Sequence, residues 1–134
     1  MVGIPIIVNT NNTGLVTMSL RGDGHKLVFV IDTGSNESHI DEAATKMLKS
    51  PIDKTAGSKI TGVSGSLKSI GKIDQWLEYK THSFKLGFSV TDLSAMVKAI
   101  EKACGVHIHG IIGTDFLRIF DGRLDFKDSM LYLM

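Results

Sequence analysis

Apolar residues along this chain fall into short runs separated by glycine and polar clusters, and those runs predict strands. The clearest is residues 84–90, where Phe84, Leu86, Phe88 and Val90 alternate with Lys85, Gly87 and Ser89, a period of two that puts one face in a core. Residues 4–8 and 14–20 also read as strands, and after the Gly22-Asp23-Gly24 turn residues 26–31 run back as a third. Residues 59–70, KITGVSGSLKSI, predict a hairpin with Gly62, Val63, Ser64 and Gly65 at its tip. Helical patterning is rarer. Asp41 is placed to cap a short helix over residues 42–48 that Pro51 ends, and Ser94 to cap a second, whose stripe is Leu93, Met96, Val97, Ile100 and Cys104 and whose stop is Gly105. Residues 106–112 predict a strand ending at Gly113, residues 114–117 a helical turn, and residues 123–126 and 130–133 a closing pair of strands. Many short strands joined by turn signals, with two or three short helices, predict a mainly β chain folded as a small barrel or closed sheet.

Composition narrows the picture. A chain of 134 residues is the size of one ordinary domain with a real core, so a single domain over 1–134 is expected. With 15 basic against 14 acidic residues and no basic run, nucleic acid is not an expected partner. Cys104 is the sole cysteine, which excludes an intrachain disulfide and fits a reducing, cytoplasmic compartment. The opening MVGIPIIVNT has neither a charged n-region nor a long apolar segment, so no signal peptide or membrane span is expected, although an export leader lost from a longer precursor would leave the same residues.

One stretch carries candidate chemistry. VFVIDTGS delivers a carboxylate, Asp32, from a buried-type strand into a turn made of Thr33, Gly34 and Ser35. An aspartate at the end of such a strand is costly unless hydrogen bonds hold it, and a following glycine lets backbone N–H groups approach it closely. A second carboxylate within hydrogen-bond distance would share one proton with it, splitting the pair into an acid and a base that can activate a water between them.

With VFVI before Asp32-Thr33-Gly34-Ser35, a glycine-containing hairpin at residues 62–65, and Gly110-Ile111-Ile112-Gly113-Thr114-Asp115-Phe116-Leu117 in the last third, the chain resembles the retropepsin-like aspartic proteases, especially bacterial members with a retroviral-type single domain. The resemblance runs from about residue 16 to the closing GRLDFKDSMLYL. It implies an acid-protease fold and an aspartic endopeptidase. Asp32 matches the catalytic aspartate, Thr33 the residue whose hydroxyl bonds across a dimer to the other loop, and Gly34 the donor of a backbone N–H to the carboxylate. Ser35 stands where the family carries Ser or Ala, and a hydroxyl donated to Asp32 would favour its ionisation. Gly62, Val63, Ser64 and Gly65 match the flap that closes on substrate, and Ile111, Ile112 and Gly113 the segment packed behind the catalytic loop.

The chain has one DTG. Asp121, before Gly122, reads as a polar turn, and Asp115 as an acid at a helix start, so the dyad is expected from two copies of Asp32 in a C2 homodimer acting on a peptide or protein. No metal and no organic cofactor are expected. Two competing readings stand beside this one: a catalytically silent dimeric peptide-binding module of the same fold, and a zinc-dependent hydrolase using His107 and His109 on one strand face. Trp76 and Tyr79 read as packing or surface.

Overall fold

The first three apolar runs form an antiparallel meander of β1 (Val2–Val8), β2 (Val16–Gly22) and β3 (His25–Ile31). The computed structural model describes the chain except residues 10–12, 57–58 and 63–64, and of residues 56, 59–62 and 65–67 it describes the backbone alone. After β3 come β4 (His39–Asp41), a 3-10 helix (Glu42–Met47) and a second short one (Lys54–Ala56). The hairpin β5 (Lys59–Gly62) and β6 (Gly65–Tyr79) follows, then β7 (His82–Thr91) and helix α1 (Ser94–Cys104). The chain finishes with β8 (Gly110–Ile112), helix α2 (Thr114–Ile119), β9 (Arg123–Asp125) and β10 (Met130–Leu133).

The strands β6, β7, β4, β8, β3 and β2 are hydrogen-bonded neighbours in that order, and a further pairing between β6 and β2 at Arg21 and Glu78 closes the ring. A closed barrel of six strands leaves no long edge inside the ring. Outside it, β1 carries the sheet from β2 through β10 to β9, while β5 pairs with β6. Most pairings are antiparallel, but β3 lies parallel to β8 and β4 parallel to β7. Ile31 is opposite Ile112, so these strands end side by side and the segments that follow them must meet.

The alternation read over residues 84–90 is the buried face of β7: Phe84, Leu86, Phe88 and Val90 are all buried, and Phe88 stacks on Phe29 of β3 with ring centroids 5.6 Å apart. That pair sits in the main core with Leu20, Leu27, Ile40, Ile73, Leu77 and Phe116. A second core forms outside the barrel, where Leu93, Val97 and Ile100 of the predicted helical stripe cover Val30, Ile108 and Ile111. Gly105 ends α1 in the left-handed region at φ 72°, donating its N–H to Glu101 O.

Four local expectations need correction. The hairpin's second strand does not stop near residue 70 but continues to Tyr79, with Ile73, Gln75 and Leu77 inward and Lys72, Asp74, Trp76 and Glu78 outward. Buried Gln75 and the polar outer residues hide that period. The strand expected over residues 106–112 shrinks to Gly110–Ile112; His109 still donates its N–H to Val28 O and accepts the Asp41 N–H, but its ring takes the Val28 N–H that a regular ladder would use, and residues 106–108 connect back to α1. Asp41 makes no side-chain cap for the helix after it, which is 3-10; its Oδ1 instead accepts the Leu93 N–H at 2.9 Å. Ser94 is the first residue of α1 rather than its cap, and its N–H is taken by Asp92 Oδ1 at 3.0 Å.

Candidate active site

The loop after β3 begins at Asp32, whose backbone N–H extends the parallel ladder by donating to Ile112 O at 2.9 Å. Ser35 N–H turns back onto Asp32 O at 3.1 Å, closing a tight turn. Within it Gly34 N–H donates to Asp32 Oδ1 at 2.9 Å, while Oδ2 takes no hydrogen bond from a described residue. Thr33 and Gly34 are exposed and Asp32 is half-buried. The carboxylate is therefore oriented through one oxygen and available through the other, with the turn open to solvent or to a partner surface.

Ser35 differs from expectation. Its hydroxyl donates to Glu37 O at 2.7 Å and so serves the loop's own curvature; Asp32 takes no bond from it. The loop is also clasped from outside by the start of α2. Thr114 N–H donates to Ser35 O at 2.8 Å and the Thr114 hydroxyl to the same oxygen at 3.3 Å. Gly113 is required by contact rather than by torsion: a β-carbon there would lie 2.5 Å from Glu37 O and 2.7 Å from Ser35 O, both backbone atoms. Ile111 and Ile112 are buried in the two cores on either side of β8.

The far end of the loop is pinned by a polar cluster that the sequence did not disclose. Ser38, 1% exposed, donates its N–H to Asp115 Oδ2 at 3.0 Å and its hydroxyl to Asp115 Oδ1 at 2.7 Å. The same hydroxyl accepts the buried Gly113 N–H at 3.0 Å, and Asp115 Oδ1 also accepts Phe116 N–H at 2.8 Å. Asp115 does sit in the first turn of α2 as an acid should, but its main work is across 77 residues to Ser38. Two sequence-distant polar residues carry no local pattern; the usable hint was a serine just past the turn and an acid just past Gly113.

Behind this cluster lies His39, 2% exposed, sharing a hydrogen bond between Nδ1 and Thr91 Oγ1 at 3.0 Å. Desolvation holds its pKa below the usual imidazole value, while the carboxylates of Glu37, Asp115 and Asp32 pull the other way. Glu37 is in turn bound through Oε2 by the Ser89 hydroxyl at 3.2 Å.

Gly62 and Gly65 are register partners at the end of the β5–β6 hairpin; Val63 and Ser64, the other two residues of the expected flap, lie outside the described residues. His107 and His109 are not on a strand. Their rings meet edge to face at 5.1 Å, but each Nδ1 is committed elsewhere: His107 to Glu101 Oε2 at 2.8 Å, and His109 as acceptor of the Val28 N–H at 3.0 Å. That acceptor role places the proton of neutral His109 on Nε2, and burial, followed by the charge of His107, lowers its pKa against the pull of Asp41. Among the described residues no group of three His, Cys, Asp or Glu stands close enough to hold a metal ion, and no helix is long and apolar enough to cross a membrane.

No protein-family model matches the chain, and no curated protein matches it in sequence. Solved structures do match it in fold. The retroviral protease-like domain of Ddi1 from Leishmania major superposes with a TM-score of 0.63 at 14% identity, covering 99% of this chain and 90% of that one. The EIAV protease complexed with the inhibitor HBY-793 gives 0.59 at 19% identity over 84% of this chain and 93% of its own. A retropepsin-like aspartic protease from Rickettsia conorii gives 0.54 at 17% identity over 98% and 86%. The chain has the retropepsin-like fold.

Proposed function

We propose that the chain is an aspartic endopeptidase acting as a C2 homodimer, with Asp32 of each copy facing the other across the axis. The observation that carries this reading is the state of Asp32: held at the end of a barrel strand by Ile112 O and by Gly34 N–H on Oδ1, with Oδ2 uncommitted among the described residues and the flanking turn exposed. The fold shared with the two proteases named above supports it. Two such carboxylates in contact cannot both ionise cheaply, so the pair holds one proton and titrates as a unit. The ionised member takes a proton from a trapped water as that water attacks the peptide carbonyl, and the protonated member gives its proton to the carbonyl oxygen. Collapse of the tetrahedral diol returns a proton to the leaving amine, and the dyad recovers its single proton. No metal or covalent intermediate is needed.

Thr33 fits a role in joining the two loops, since it is exposed in the single chain. The hairpin ending at Gly62 and Gly65 is assigned as the flap that excludes water over the bound peptide. The test is cleavage of an unfolded protein mixture at acidic pH. Wild type should cleave, Asp32→Asn should not, a transition-state mimic with a central hydroxyl should inhibit, and a chelator should do nothing. Peptide binding by both wild type and Asp32→Asn with no cleavage by either would favour the silent binding module, and loss of activity in chelator would favour a metal-dependent hydrolase.

A further inference from the structure

Beside the catalytic loop a cavity of about 400 Å³ is lined by Asn36, Asp115, Arg118 and Ile119. Asn36 is four residues beyond Asp32, and a chain advances at most ~3.5 Å per residue, so this wall lies within ~14 Å of the carboxylate-bearing residue. An extended peptide advances ~3.3 Å per residue, so a peptide held at Asp32 and running past Asn36 would reach the cavity within about four residues of the bond.

The two charged residues of the lining are not equivalent. Asp115 is largely engaged: Ser38 hydroxyl and Phe116 N–H point at Oδ1 and Ser38 N–H at Oδ2, so its charge is spread over three donors within the fold. Arg118, three residues on along α2 and exposed, has no hydrogen-bond or ion-pair partner for its guanidinium among the described residues, where the one ion pair joins His107 to Glu101. Next to it Ile119 leaves 63% of its surface exposed, an apolar wall beside an unengaged cation. An aliphatic stem ending in a carboxylate matches both.

We propose that this cavity is an outer substrate subsite that takes an acidic side chain, glutamate above all, with Arg118 setting the specificity. The inference rests on the peptidase reading, and because a C2 dimer carries the cavity twice, it requires an acidic preference on both sides of the cleaved bond, within four residues of it. Arg118 is a specificity residue; it touches the peptide far from the reacting atoms, and its exposed place on α2 leaves folding and the dyad untouched when it is changed.

The experiment maps cleavage sites by mass spectrometry in an unfolded protein mixture and then measures kcat/KM on peptides that differ in carrying Glu, Gln or Lys at one flanking position. Wild type should prefer Glu over Gln by about threefold to fivefold, as for a partly exposed ion pair, with Lys lower still and the preference shrinking at high salt. Arg118→Gln should erase the preference and Arg118→Glu should reverse it toward Lys, the ratio of kcat/KM between the peptides being the readout. A second arm keeps the inference separable from the peptidase reading: labelled Glu and Lys peptides are titrated against Asp32→Asn protein with and without Arg118→Glu. Discrimination in binding that depends on Arg118 supports the subsite even if wild type cleaves nothing. No discrimination in either arm, or a preference for acid that survives Arg118→Glu, overturns it.

Discussion

Replacing Ser38 by alanine removes one oxygen and should unfasten the far end of the loop that begins at Asp32. That oxygen donates to Asp115 Oδ1 at 2.7 Å and accepts the Gly113 N–H at 3.0 Å, in a site where Ser38 is 1% exposed. A hydrogen bond to a charged acceptor contributes ~1.5–3 kcal/mol, and a buried N–H left without a partner costs ~1–3 kcal/mol. The two losses share an atom and partly overlap, so the net cost should be about 2–4 kcal/mol. For 134 residues the unfolding entropy is ~0.28 kcal/mol/K, so Tm should fall by ~7–14 °C. Calorimetry at fixed protein concentration reads this directly, with Ser89→Ala as a control that loses only the long 3.2 Å bond to Glu37, leaves no buried N–H without a partner, and should cost about 1.5 kcal/mol, the low end for a bond to a charged group. A double-mutant cycle of Ser38→Ala with Asp115→Ala should show a coupling of about 1–2 kcal/mol. A Tm drop under ~2 °C, together with strict additivity, would refute the claim that this cluster clamps the loop.

Other outcomes follow from the same geometry. Burial lowers the pKa of His39 and His109 in the folded chain, so below the ordinary imidazole value near 6.5 the unfolded state binds more protons, and this share of stability is present above that pH and lost as pH falls toward the folded values. His109→Gln, whose amide oxygen can still accept from Val28 N–H, should flatten the decline of Tm below that pH; an unchanged slope removes His109 from the explanation. Ser35→Ala should leave the acid limb of the activity profile where it is, because its hydroxyl serves Glu37 O, and a shifted limb would show that it reaches Asp32. Phe88→Ala removes a fully buried ring stacked on Phe29 and should cost ~3–5 kcal/mol in urea denaturation; under ~1 kcal/mol would mean the barrel core repacks freely.

The sequence disclosed what local periodicity and turn chemistry can carry. The alternation of β7, the VFVI run of β3, the α1 stripe and the Asp32-Thr33-Gly34 turn were legible because each is decided by neighbours within a few residues. The parts that were not legible depend on distant partners. The inward residues of β6 include Gln75, which breaks the apolar pattern, while β4 spans only His39–Asp41 and owes its burial to β7 and β8 on either side. The residue types at 41 and 94 suit helix caps, yet Asp41 faces Leu93 N–H and Ser94 lies one position inside its helix, a difference that tertiary packing sets. For the candidate site, Asp32 was visible by position, whereas Ser38, Asp115 and the turned hydroxyl of Ser35 emerge only once β3 and β8 lie parallel and bring their following segments together.

Mixing wild type with Asp32→Asn under conditions of subunit exchange tests the central claim most directly. If one catalytic centre needs Asp32 from both copies, an equal mixture at constant wild-type amount should retain about half of the original activity, since only a quarter of the dimers then carry two aspartates. Activity that stays unchanged however much Asp32→Asn is added, with exchange verified by mass, would mean that each chain works alone and would contradict the account.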